Sequence, residues 1–376
     1  MNSPLIFITA AEVSGDVHGA KLIEALRRRL PDARFMGVGG PRMAAGGCEL
    51  VANPVGKAAM LGGGIQMAAY FHGVIKQAKA AMAAHRPAVH VPVDSPAMNW
   101  HLAKAAKALG VPVMYYVAPQ VWAWAPWRVK KVRKLTDAVA CILPFEEDYL
   151  RQRRVNARFV GHPLLEELPA PELPDLDAAA ASGRWKIAML PGSRDGEIRG
   201  HAAALADMSD RLRTRYPDAQ VTFAAFDEAA AEKFRRFSGR DDLSIVAGQT
   251  EQVLAGSHFA VVASGTATLM TACFGVPMVI VHKGSWLGYN LVARWLIRTK
   301  YLSLVNILAG YELSPELMPW FGNRNQLWRA VEGLLGDTAT LKATRQKLLE
   351  LVKPLRIEGG SAAGNTAELV IEVMRK

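Results

Sequence analysis

The sequence predicts an α/β protein of two tandem domains, each a doubly wound parallel sheet with helices on both faces, facing each other across a cleft. Three observations lead there. Short apolar runs alternate with helix-like segments along most of the chain, the pattern of βα units that assemble parallel sheets. Between residues 169 and 184 the stretch "PAPELPDLDAAAASGR" replaces that rhythm with proline, alanine and acid, and reads as a linker. The length, 376 residues, exceeds what one ordinary core fills, whereas two domains can each bury their own.

The first domain is expected over residues 1–168. "LIFITA" (Leu5–Ala10) is its first strand, a continuous apolar run of the kind found where both faces of a sheet are covered. A helix follows, with Val17, Ala20, Ile23, Leu26 and Leu30 along one face. "RFMGVGG" (Arg34–Gly40), "AVHVPVD" (Ala88–Asp94), "VPVMYYVAP" (Val111–Pro119), "AVACIL" (Ala138–Leu143) and "ARFVG" (Ala157–Gly161) repeat the device. The second domain, 185–357, restarts with "KIAMLPG", then Ala219–Phe226, Leu243–Gly248, Phe259–Ser264 and Pro277–Gly284. A last helix, about 358–376, follows the Gly359-Gly360 break and is expected to pack back on the first domain. In Rossmann-like sheets of this kind, ligands bind beyond the carboxyl ends of the strands, so the chemistry is sought in the turns.

Composition narrows the partners. Lys and Arg number 45 against 34 Asp and Glu, a net charge of +11 that draws the protein toward polyanions such as a phosphate-rich substrate or an anionic membrane. The three cysteines, Cys48, Cys141 and Cys273, have no paired or metal-like spacing and read as small apolar residues in a reducing compartment. The first residues lack the basic lead of a signal peptide, and no window reaches the roughly 18 to 20 apolar residues that span a bilayer. A cytoplasmic protein with peripheral membrane contact is the expectation. No phosphate loop of the Gly-x-x-x-x-Gly-Lys type, complete dinucleotide fingerprint or His-Glu-x-x-His helix occurs. The one Asp-x-Asp, Asp175 to Asp177, falls in the expected linker as solvated acid, so neither a catalytic metal nor a cofactor is predicted.

Several strand ends could carry chemistry. In "IAMLPGSRDGE" an apolar strand runs into Gly192, Ser193 and Arg194 and then a helix, which leaves backbone N–H groups pointing outward at the positive end of the helix dipole. Arg194 adds a planar fork that suits two phosphate oxygens, so a diphosphate fits, although a plain strand-turn-helix junction would look similar. "VVASGTATLM" repeats the device with Ser264, Gly265 and Thr266, and Asn306 offers an amide to a base or sugar. After the first strand, Glu12, Ser14, Gly15 and Asp16 exceed what a helix cap needs and suggest a substrate-facing loop. Asp94, ending "VPVD", could take a proton from an attacking hydroxyl or simply cap the helix from Pro96.

"APQVWAWAPWRVKKVRK" sets Trp122, Trp124 and Trp127 before Arg128, Lys130, Lys131, Arg133 and Lys134. With no RNA-binding motif elsewhere, this points to a membrane surface or an acylated substrate and away from nucleic acid, although one or two of the tryptophans would serve equally as ordinary core. The apolar, glycine-rich stretch Val55–His85 reads either as a hydrophobic lip carrying Met60 and Leu61 over an acyl-chain groove, or as a loop and a buried helix.

Taken in order, "AEVSGD", "FMGVGGPRMAAGGCE", "VDSP", "YYVAPQVWAWAPWR", "ILPFEEDY", "FVGHPLLE", "LPGSRDGEI", "ASGTATL" and "NILAG" resemble the blocks of the lipid-A-disaccharide synthase family, inverting glycosyltransferases of the two-domain GT-B type. The resemblance implies transfer of 2,3-diacylglucosamine from its UDP carrier to the 6-hydroxyl of 2,3-diacylglucosamine 1-phosphate, with UDP released at the cytoplasmic face of the inner membrane and no metal required. It makes Asp94 the general base and the Gly192–Arg194 turn the diphosphate site, and it leaves a homodimer open. Two positions depart from the family pattern: Met270 and Ala97 stand where acids are usual. They keep open a paralogous transferase with a changed donor or acceptor, and a non-catalytic glycolipid-binding protein at the membrane surface.

Overall fold

The computed structural model of the chain describes residues 3–55, 64–123, 125–166, 168–283, 299–357 and 359–375. It divides into two units, Met1–Glu166 with Leu355–Lys376, and Glu167–Pro354.

Among the described residues, unit 1 holds seven strands, all pairing in parallel: β1 (Leu5–Thr9), β2 (Arg34–Val38), β3 (Cys48–Ala52), β4 (Val89–Pro92), β5 (Met114–Tyr116), β6 (Ala138–Cys141) and β7 (Ala157–Phe159). They run in the orders β3-β2-β1-β4 and β5-β6-β7, joined by single bridges from His90 to Val113 and from Val93 to Tyr116. Side chains alternate across the pleat. Ile6 and Ile8 enter one core layer and Phe7 the other, all fully buried. The last helix, Ala362–Met374, buries Ala367, Leu369, Val370 and Val373 in the Ile6/Ile8 layer, beside the helix Val13–Arg29. Gly37 is required on β2, because a Cβ there would lie 1.8 Å from the Ile8 carbonyl oxygen.

β3 escapes sequence reading. It is a half-exposed edge strand interrupted by Glu49, so it lacks the apolar run of a covered strand.

The described residues of unit 2 form one sheet of six parallel strands: β8 (Lys186–Leu190), β9 (Gln220–Ala225), β10 (Ile245–Ala247), β11 (Phe259–Ala263), β12 (Met278–Lys283) and β13 (Glu316–Trp320). Their order, β10-β9-β8-β11-β12-β13, reverses between β8 and β11, so the turns after those two strands flank the switch point where such sheets take ligands. β13 is the second edge strand that sequence reading misses; Pro319 sits in it, as only an edge allows.

The stretch 169–184 corrects an expectation. Instead of a free linker it carries the helix Leu176–Ser182, begun by the Asp175 carboxylate, which accepts from Asp177 N (2.9 Å) and Ala178 N (3.2 Å). Leu176 and Ala179 enter the core of unit 2, Asp177 pairs with Lys342, and Arg345 Nη1 donates to the Pro174 carbonyl at 2.6 Å. The alanine run that looked like spacer is good helix-forming sequence once a cap is present.

Candidate active site

In unit 1 the sheet order reverses between β1 and β4, and Asp94 lies two residues beyond the end of β4. Asp94 (φ +47°) and Ser95 (φ +45°) are consecutive non-glycine residues in the left-handed region, a conformation that costs energy and persists only where neighbours impose it. The neighbours are visible. The Asp94 carbonyl accepts from Asn99 Nδ2 and from Tyr115 Oη, each at 2.7 Å, while its N–H donates to the Tyr116 carbonyl at 3.0 Å. The helix Pro96–Ala108 then begins with no side-chain cap from Ser95, and Ala97 is exposed in its first turn.

The Glu12–Asp16 segment differs from the expected loop. Its residues from Ser14 onward already belong to the helix Val13–Arg29; Glu12 and Ser14 are exposed, and Gly15 packs where a Cβ would stand 3.0 Å from that of Ala10. Asp16 is 1% exposed, and its side chain turns inward instead of lining an open loop. Its carboxylate accepts from the N–H groups of Gly40 (2.8 Å), Arg42 (3.0 Å) and Met43 (3.0 Å), and so caps the helix Pro41–Ala45. Three donors on one buried carboxylate define a structural anchor.

In unit 2 the turn after β8 has its donors in place. Gly192 is left-handed (φ +102°), and a Cβ there would lie 2.7 Å from Glu197 Oε2. That oxygen accepts from Ser193 N (3.2 Å) and Arg194 N (3.3 Å), while Glu197 Oε1 accepts from Arg194 Nη1 (3.1 Å). Glu197, in the first turn of the helix Asp195–Arg215, thus reaches back to the N-cap N–H, and the donors expected to hold an anion hold a carboxylate. The Arg194 side chain stays 79% exposed, so its guanidinium can turn to another anion. Across the switch point, Ser264 is half-buried with its N–H on the Val281 carbonyl (3.0 Å), and Gly265 and Thr266 are exposed at the start of the helix Thr266–Cys273.

Sequence reading missed His201. Its Nδ1 lies 3.0 Å from the Pro191 carbonyl, and its Nε2 accepts the Lys283 N–H at 3.0 Å. A carbonyl only accepts, so Nδ1 carries the proton and the ring is neutral, in keeping with burial that lowers its pKa. The imidazole ties the turn after β8 to the end of β12. Its place on the inward face with Ile198, Ala202 and Leu205 marks it in the sequence as buried, but not its partners.

The model of the family described as "Lipid-A-disaccharide synthetase" matches residues 6–355. The chain belongs to the lipid-A-disaccharide synthase family. The lipid-A-disaccharide synthase of Anaeromyxobacter dehalogenans (strain 2CP-C) is 38% identical over 378 residues, covering 98% of this chain and 97% of that protein. That of Myxococcus xanthus (strain DK1622) is 36% identical over 386 residues, covering 95% and 100%. Among solved structures, the calicheamicin glycosyltransferase CalG4 superposes with a TM-score of 0.58 at 15% identity, covering 100% of this chain and 98% of its own. The UDP-GlcNAc 2-epimerase from Neisseria meningitidis bound to UDP-GlcNAc gives 0.54 at 11% identity, covering 100% of each. These neighbours share the fold, GT-B, and the family makes the chain a glycosyltransferase of lipid A biosynthesis.

Two expectations need correction for this member of the lipid-A-disaccharide synthase family. Asn306 cannot read a base or sugar. It is fully buried, its Nδ2 donates to the Ser314 carbonyl and Glu316 Oε2 (2.9 Å each), and its Oδ1 accepts from Leu313 N (2.9 Å) and Ser314 N (3.0 Å). Every capacity of the amide is spent within its own segment. Trp122 is likewise internal. Its indole N–H donates to Glu146 Oε1 at 2.9 Å and its ring meets Phe145 edge-on at 4.9 Å. Burial pushes the Glu146 carboxyl up to about 7 against the opposing pull of the Trp122 and Leu143 N–H groups.

Trp127 is 57% exposed, and Arg128, Lys130 and Lys131 are exposed beside it. Lys131 Nζ lies 4.9 Å from the Trp100 ring centroid, and burial together with Arg128 and Lys104 lowers its pKa. Met60, Leu61 and Trp124 lie outside the described residues. Met270 is half-buried on the helix Thr266–Cys273. Among the described residues no cluster of His, Cys, Asp or Glu could hold a metal ion, and no helix is long and apolar enough to cross a membrane.

Proposed function

We propose that this synthase-family member transfers 2,3-diacylglucosamine from UDP-2,3-diacylglucosamine to the 6-hydroxyl of 2,3-diacylglucosamine 1-phosphate, inverting the anomeric carbon and releasing UDP. The observation that carries the reading is Asp94, held left-handed at the switch point of unit 1 by two hydrogen bonds to its carbonyl. In this mechanism its carboxylate takes the proton of the acceptor hydroxyl as that oxygen attacks the anomeric carbon and the bond to the β-phosphate oxygen breaks. Charge gathering on the leaving UDP is met by the N–H groups of Ser193 and Arg194 and by the Arg194 guanidinium, donors that exchange the Glu197 carboxylate for the diphosphate. Gly265 and Thr266, at the facing turn, complete the donor site. UDP release from UDP-2,3-diacylglucosamine tests the reaction. Release that depends on the acyl-sugar phosphate, with the disaccharide seen by mass spectrometry, is the expected result; no disaccharide from folded protein refutes it.

We assign the membrane contact to Trp127, Arg128, Lys130 and Lys131, an exposed aromatic followed by cations, on the inner face of the inner membrane. The protein should co-sediment with anionic vesicles and be released as salt rises, and Lys130→Glu with Lys131→Glu should abolish the binding. Co-sedimentation that ignores salt would remove electrostatics from the account.

A further inference from the structure

The carbonyl of Asp94 is gripped from inside the protein by a chain of buried polar groups whose orientation can be worked out one member at a time. Asn99 Nδ2 faces three carbonyls, those of Asp94 (2.7 Å), Val93 (3.2 Å) and Thr9 (3.3 Å). Carbonyls only accept, so the amide must present its NH2 there and its Oδ1 on the other side. Oδ1 lies 2.7 Å from Thr9 Oγ1, so the one hydroxyl hydrogen of Thr9 is committed to it. The same hydroxyl lies 2.9 Å from His90 Nε2 and can only accept there, so His90 carries its proton on Nε2. Its Nδ1 is buried with no partner among the described residues, and burial lowers the imidazole pKa to about 3, which keeps the ring neutral. Thr9, His90 and Asn99 are each fully buried.

The result is a one-way relay, His90 to Thr9 to Asn99 to the Asp94 carbonyl, with Tyr115 Oη as a second donor to that same oxygen. It draws on β1, β4 and the first turn of the following helix, so it fixes the strained residue against the two strands that border the switch point. An ordinary helix start needs no such arrangement. A left-handed aspartate followed by a left-handed serine does, because both would relax to commoner backbone angles if the carbonyl were released.

Resting on the reading of Asp94 as the base, we propose that Asn99, oriented by Thr9 and His90 and seconded by Tyr115, is a positioning residue that aims the Asp94 carboxylate at the acceptor hydroxyl. Misplacing a reacting group by about an ångström can cost up to roughly a hundredfold in rate, and loosening one link of the relay falls short of that.

Thr9→Val removes the hydroxyl with almost no change of shape, and Thr9→Ser keeps it. We expect Thr9→Val to lower kcat about tenfold while KM for both substrates and Kd for UDP hold, and Thr9→Ser to restore most of the turnover. A structural role alone would lower Tm without this split. The deciding measurement is the cycle with Asp94→Asn: if Thr9 acts through Asp94, Thr9→Val has no further effect on the residual rate of that variant. An equal loss in both backgrounds, or an unchanged kcat in Thr9→Val, overturns the inference. Tyr115→Phe, which removes only the second donor, asks the same question through the same cycle should Thr9→Val fail to fold. Full turnover in Asp94→Asn alone would instead strike the reading of the base.

Discussion

Asp94→Asn should lower kcat by roughly 10² to 10⁴ while leaving UDP affinity unchanged. The amide has nearly the shape of the carboxylate and leaves the backbone grip of Asn99 and Tyr115 intact, so the strained turn persists while the proton acceptor is lost. UDP affinity is the internal control, because the donors assigned to the diphosphate belong to the other unit. Isothermal titration with UDP and a coupled UDP-release assay separate the two quantities. An Asp94→Asn protein turning over at the parent rate would assign the proton to another group and leave the left-handed turn without a catalytic reason.

Arg194→Ala should weaken UDP binding about tenfold to a hundredfold, the range for losing one charge-assisted hydrogen bond of about 1.5 to 3 kcal/mol. The lower end is expected. In the free protein the exposed guanidinium already pairs with the largely buried Glu197 carboxylate, so what is lost on mutation is the difference between carboxylate and phosphate as partner. Glu197→Gln is the informative companion. It keeps an oxygen for the Ser193 and Arg194 N–H groups but removes the competing charge, so UDP should bind more tightly. Titration of both variants decides the matter: UDP affinity unchanged in Arg194→Ala would move the diphosphate away from this turn.

How far the sequence was legible follows from what each residue touches. Central strands such as β1 announce themselves, because Ile6, Phe7 and Ile8 are buried on alternate faces and all must be apolar. Edge strands β3 and β13 do not, since half-exposure tolerates Glu49 and Pro319 and erases the pattern. The Gly192 turn was visible because its conformation demands particular residues. Asp16, Trp122 and Asn306 mislead for one reason. A polar side chain in a sequence shows a capacity to bond, and here the partners lie at residues 40–43, at Glu146 and at residues 313–316, where no local pattern points. The same blindness hid His201, whose two partners come from the ends of different strands.

The last helix, finally, bears on how the protein is made. Residues 362–374 complete the Ile6/Ile8 core layer of unit 1, yet they leave the ribosome only after all of unit 2. About 200 residues separate the end of the first segment of unit 1 from this helix, which at ordinary rates of synthesis means a wait of roughly 10 to 40 s. Through that interval the helix Val13–Arg29 covers its share of the layer, and the strip that the last helix occupies stays open. A chain built this way carries an apolar strip on the polysome until its last residues are made.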